Sequence, residues 1–179
     1  MLKSYMPKIS YIFISLLLLT QSLISKEPIM ALLTDIQSND VQYFKIGNYK
    51  FECKPYGVIG IDELYNDKLF NSECKKNILK FYKKRVDLKY YTYSKLNIKQ
   101  LYRIKFKDNR CLISVAGEKY LSEFLLEEGL AVRKPLLKDD EYEYYFFKSQ
   151  LNAKMLRKGI WKENITRECI SKIYKKEER

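Results

Sequence analysis

Histidine does not occur among the 179 residues. Its absence removes every Ser-His and Cys-His nucleophile pair and the usual imidazole base. Hydrolytic chemistry in this chain therefore has to run on carboxylates, tyrosine, lysine, arginine or a metal ion. The four cysteines, Cys53, Cys74, Cys111 and Cys169, contain no Cys-x-x-Cys spacing, and without histidine to complete a ligand set they make a poor zinc site. No cysteine precedes Cys53, so the sequence does not indicate a lipid-modified N-terminus. Long hydrophobic runs are missing too. The apolar run Tyr11–Leu19 is short of the about 20 residues that a comfortable membrane span takes, and the chain length leaves room for one ordinary domain rather than two.

What the N-terminus does contain is ordered. Lys3 and Lys8 precede the apolar run, and Thr20, Gln21, Ser22 and Ser25 follow it. A positive region, a short apolar region and small polar residues, in that order, make a secretory signal peptide over 1–25, cut after Ser25. The alternative is an uncleaved anchor, because Leu23 suits the cleavage box poorly. The sequence thus predicts a periplasmic or secreted protein that touches a membrane only through this segment, if it is retained.

Removing Met1–Ser25 takes away two lysines and no acids, leaving 32 basic against 22 acidic residues. Such an excess favours polyanions: nucleic acid, anionic lipid or acidic wall polymers. It equally describes a lysine-rich solvated surface. An even set of cysteines in an exported chain makes one or two disulfides plausible, and four cysteines allow three complete pairings.

After Lys26-Glu-Pro28 the chain reads as strands to about residue 62. Val41–Ile46 and Tyr49–Cys53 flank a Gly47-Asn48 turn as a hairpin, and Tyr56–Ile61 reads as a third strand. Gly57 and Gly60 within it indicate bends, or a backbone that something approaches closely. Phe70, Cys74, Ile78 and Phe81 give Asp67–Tyr82 one apolar helical face. Val86–Tyr93 returns to strand character, and Leu101–Phe106 and Cys111–Val115 form a second hairpin around Lys107-Asp-Asn109. Leu121, Phe124 and Leu125 mark a helix ending at Gly129. Asp139–Lys158 reads as a longer helix with Tyr142, Phe146, Ser149, Ala153 and Leu156 on one face. Strands, helix, strands, helix, helix fit a β-rich α+β fold, a small antiparallel barrel with packed helices. The charged tail from 162 to 179 is either frayed or pinned through Cys169.

Several ordered motifs resemble the staphylococcal nuclease (thermonuclease-like) family. Tyr120–Ala131 is similar to its helix ending in Gly-Leu-Ala, and Ser149–Lys154 through Lys158-Gly-Ile-Trp161 is similar to its last helix with a closing Gly-Ile-Trp. The resemblance covers roughly residues 40–161. It implies an OB-type, five-stranded antiparallel barrel with about three helices.

The resemblance also implies a site, and one that departs from the family's pattern. The family's Arg-Leu-x-Gly-Ile-Asp-x-Pro-Glu signature corresponds to Gly57-Val-Ile-Gly-Ile-Asp-Glu-Leu-Tyr65. Asp62 stands at a metal-binding aspartate, while Gly57, Leu64 and Tyr65 replace the phosphate-binding arginine, the proline and the glutamate held to be the base. Arg110 matches the second arginine, and Asp40 loosely matches the other metal-binding aspartate. Calcium held by Asp40 and Asp62 is thus the implied cofactor, with Arg110 and the neighbouring Glu63 as catalytic groups. Lys54 and Arg103 join Arg110 as nucleic-acid contacts. A hard cation on the phosphate oxygens, donors for the building charge and a group to orient water are what phosphodiester cleavage needs. Two functions follow: a nuclease-like, nucleic-acid-binding protein with weak calcium-dependent hydrolysis, or a pseudonuclease that serves as an envelope protein-interaction module.

Overall fold

The structure, a computed structural model, describes residues 27–68, 71–117, 119–134, 140–162 and 169–170. The signal segment, Phe70 and most of the charged tail lie outside the described residues.

Six strands form one antiparallel sheet in the order β3-β2-β1-β5-β6-β7. β1 (Ile29–Ile36) is central, β2 (Gln42–Ile46) and β3 (Tyr49–Cys53) make the first hairpin, and β5 (Leu101–Lys107) and β6 (Arg110–Ala116) the second. Alternation decides the faces: Ala31 and Leu33, Phe44, and Tyr102 and Ile104 turn inward and are buried, as period-two side chains on a one-sided sheet must be. Strand β7 (Lys119–Tyr120) extends the far edge, and β4 (Val58–Gly60) pairs with β8 (Ala131–Arg133) in a separate two-stranded ribbon.

The curl stops short of a closed barrel. Beyond β3 the chain meets β6 through a single parallel bridge at Pro55 and Cys111, in which Tyr56 N donates to Cys111 O (2.9 Å) and Cys111 N to Lys54 O (2.8 Å). The Cys53–Cys111 disulfide sits at this seam, with a sequence separation of 58. It holds covalently what two backbone hydrogen bonds hold weakly.

Five helices are present where three were expected among the described residues: α1 (Ile61–Asn66), α2 (Ser72–Lys84), α3 (Val86–Lys89), α4 (Leu121–Glu127) and α5 (Asp140–Met155), with 3-10 turns at Tyr91–Ser94 and Gly159–Trp161. α2 starts later than its apolar spacing implied, because Asn71 caps it by accepting from Cys74 N at 2.8 Å. The strand expected over Val86–Tyr93 is instead α3 and a 3-10 turn. Leu88 and Thr92 are the buried residues there, four apart, and the buried Asn39 side chain ties both: its Nδ2 donates to Leu88 O (2.8 Å) and its Oδ1 accepts from Thr92 N (2.9 Å). A long-range polar contact overrode the aromatic strand signal. On α5, Tyr142, Phe146, Ser149 and Ala153 are buried as expected, but Leu156 is exposed, since the helix has ended at Met155.

The two glycine motifs prove to be one contact. Gly129 and Gly159 both have positive φ, and a Cβ on either would come within 2.3 Å of the other segment's backbone. Ile160 N donates to Gly129 O at 3.0 Å across the same junction. The tail is pinned as well: Cys74 is bonded to Cys169, which is buried with Ile170.

Candidate functional site

The short β4 delivers the chain into α1, and the first turn of that helix carries Asp62 and Glu63. Asp40 arrives from the β1–β2 turn and caps it from outside: its Oδ2 accepts the N–H of Glu63 at 2.9 Å. Gly60 permits the approach, because a Cβ there would fall 1.6 Å from Asp40 Oδ1. The close backbone approach foreseen from the glycines is thus made by an aspartate of this same chain.

Burial dominates the electrostatics of Asp40, which is 5% exposed. Loss of water, then repulsion from Asp62, push its carboxyl up to about 7. Asp62 is raised too, by burial first, with Lys89 and the Tyr82 hydroxyl opposing the shift. Asp40 Oδ1 is buried without a hydrogen-bond partner. Two carboxylates that repel each other and an oxygen lacking a donor are what a divalent cation would satisfy, and calcium takes oxygen ligands of this kind. The donor set is nonetheless thin. Among the described residues no group of three carboxylate, cysteine or histidine ligands converges, so carbonyls and water would supply the rest.

Arg110 opens β6 and reaches toward the same helix. Its guanidinium donates to Glu63 Oε1 at 2.5 Å, to Val58 O at 3.1 Å and, at the limit, to Pro55 O at 3.5 Å. Arg110 is thereby set in place from β4 and α1 together, with its side chain 17% exposed against 37% for Glu63. Both terminal nitrogens of the guanidinium are thus engaged within the chain, and Glu63 must yield for a phosphate to take its place.

Asp40, Asp62 and Glu63 therefore gather at the start of α1, and Arg110 is tied to that turn through Glu63. Lys54 and Arg103 do not join them. Lys54 is exposed and paired with Glu52 at 3.4 Å, and Arg103 lines a cavity of about 540 Å³ with Ser114, Tyr120 and Tyr142. The departures from the family's pattern have structural content. Gly57 has φ +73°, a left-handed conformation that an arginine rarely adopts. The half-buried Tyr65 lies under Lys75 Nζ, 5.6 Å from its ring centroid. Sequence reasoning missed Asn39 and Tyr82; a polar residue inside a turn motif and a tyrosine on a helix face carry no signal of a partner in another element.

Comparison with curated proteins gives no match. The family model for staphylococcal nuclease homologues matches residues 65–163, a span that takes in Arg110 and both glycine motifs and begins after Asp62 and Glu63. More than half of the chain is matched, over the helices and hairpin just described, and the chain belongs to the staphylococcal nuclease homologue family.

Proposed function

We propose that this protein binds nucleic acid through Arg110 and the acidic first turn of α1, and that it cleaves phosphodiesters slowly and only with calcium. One observation carries the reading: Arg110 is anchored on Val58 O and on Glu63, whose backbone N–H is in turn held by Asp40. Asp40 and Asp62 would hold the cation, which supplies charge neutralisation at the phosphate. Arg110 would orient the phosphate by parallel donors, and Glu63, released from Arg110, would accept a proton from water. Slowness follows from Gly57 and Tyr65. One missing donor of this kind costs on the order of 10²–10³ in rate, and a phenol takes a proton from water far less readily than a carboxylate placed for the task. Two disulfides and the N-terminal pattern support residence in the periplasm or outside the cell.

A second reading is favoured by Tyr65 and Gly57 themselves: a pseudonuclease that keeps the sheet as an envelope protein-interaction module. Cleavage of labelled single-stranded DNA and RNA with calcium, with chelator and with Asp62→Ala separates the two. Calcium-dependent cutting lost in Asp62→Ala supports the nuclease; well-folded protein that neither cuts nor binds leaves the interaction module.

A further inference from the structure

The cavity at Arg103 holds polar groups that the chain itself does not use. Alternation puts Arg103, Lys105 and Lys107 on one face of β5, since Tyr102 and Ile104 are buried on the other. One step past the Ile104–Ile113 pair, Arg103 stands opposite Ser114 of β6. These two line the cavity of about 540 Å³ together with Tyr120, which precedes α4, and Tyr142 and Tyr145 from the start of α5. That volume suits a small ligand.

The charges around the cavity are spent, with one exception. Lys119 is paired with Glu127 at 2.6 Å and Glu141 with Lys105 at 3.4 Å. Lys105 also donates to the Tyr142 hydroxyl at 2.9 Å, and Glu123 accepts the N–H of Tyr120 at 2.8 Å. The Arg103 guanidinium and the hydroxyls of Ser114 and Tyr145 make no hydrogen bond or ion pair with any described residue. Unused donors around a positive charge select an anion, and tyrosine rings select a flat body to lie against them. A phosphate joined to a base has both.

The cavity is also in line with Arg110. Lys107, four residues along the same face of β5, is the ladder partner of Arg110. Its Nζ lies 5.3 Å from the centroid of the Tyr56 ring and 5.4 Å from that of Tyr142. Tyr142 is thus shared, lying under Lys107 and lining the cavity. Four residues of strand span about 14 Å, a length that a stacked single strand covers in about four nucleotides. Cations interleaved with rings are what lets a groove follow a single strand.

We propose that this cavity holds one unpaired nucleotide of a strand whose backbone passes Arg110, with its phosphate on Arg103 and Ser114 and its base against Tyr145. The proposal rests on the nucleic-acid reading above and narrows its substrate class to single strands. A base inside a duplex is stacked on both faces and must leave the stack to enter such a pocket.

The test uses the full chain, with chelator present so that nothing is cut. Unlabelled oligothymidines of two to eight nucleotides compete against a labelled octamer in fluorescence anisotropy. Separately, 3-fluorotyrosine at position 145 reports by fluorine NMR on added thymidine monophosphate. Affinity should rise at least tenfold between two and six nucleotides, and Arg103→Ala with Tyr145→Ala should cut that rise to under threefold. Both side chains are exposed, and an unchanged urea midpoint checks that the double variant is folded. The monophosphate should shift the resonance at 145 in the parent and in Arg110→Ala, and not in Arg103→Ala. A rise that survives in the double variant overturns the cavity and leaves the Arg110 reading standing. A shift reproduced in full by inorganic phosphate overturns the nucleotide in favour of a bare anion. No binding at any length, with no shift at 145, overturns both this proposal and the nucleic-acid reading.

Discussion

The carboxylate of Asp40 occupies the space that a side chain on Gly60 would fill. The two residues are 20 positions apart and form one device: the glycine opens a pocket at the start of α1, and the aspartate enters it to take the N–H of Glu63. Gly60→Ala should cost about 1–3 kcal/mol, the usual range for overpacking a filled site. In an Asp40→Ala background the same substitution should cost much less. A double-mutant cycle by urea denaturation checks the coupling, and additive effects would disprove it.

Asp40 also sets a pH dependence. Its folded pKa of about 7 lies above the ordinary 3.8, so between those values the native protein holds more protons at this position than the unfolded chain. Its contribution to stability should therefore fall as pH rises from about 4 to 7 and stay low above that. Asp40→Asn, which keeps an oxygen for Glu63 N–H, should flatten this part of the profile and gain on the order of 1–4 kcal/mol at pH 8 with chelator present. Calcium should raise Tm of the parent at pH 8 and leave Asp40→Asn nearly unmoved. Thermal melts across pH, with and without calcium, read both effects.

Arg110→Ala should weaken oligonucleotide binding about tenfold or more and lower the slope of log affinity against log salt by about one. Arg110→Lys should restore the slope but little of the affinity, because an ammonium cannot hold Val58 O while presenting a fork to phosphate. An unchanged salt slope in Arg110→Ala would place the nucleic-acid contact elsewhere.

The two altered signature positions should respond differently to repair. Tyr65→Glu changes a half-buried residue on an established helix and should raise calcium-dependent cleavage at least tenfold, the low side of what a positioned base gives. Gly57→Arg should destabilise by roughly 1–2 kcal/mol without raising cleavage, since the left-handed backbone resists it. Single-turnover assays beside urea titrations distinguish the cases.

Much of the fold was legible because the signals were local. Gly47-Asn48 and Lys107-Asp-Asn109 announced hairpins that pair as expected, and the stripe from Tyr142 to Ala153 gave the buried face of α5. What escaped was long-range. Residues 86–93 carry strand-forming side chains, yet Asn39 from a distant turn bonds Leu88 and Thr92 into helical spacing. At the site, Asp40, Asp62 and Arg110 were readable one at a time. That Glu63 would be tied to Arg110, and that Gly60 would be the socket for Asp40, depends on how β4 and α1 are set against the β1–β2 turn. No local pattern encodes that.

The Cys74–Cys169 bond joins a helix in the first half of the chain to a residue ten places before its last, across a separation of 95. A chain cut anywhere between the two leaves the Cys74 thiol without its partner, and a thiol-reactive probe would distinguish it from the intact chain by that single sulfur.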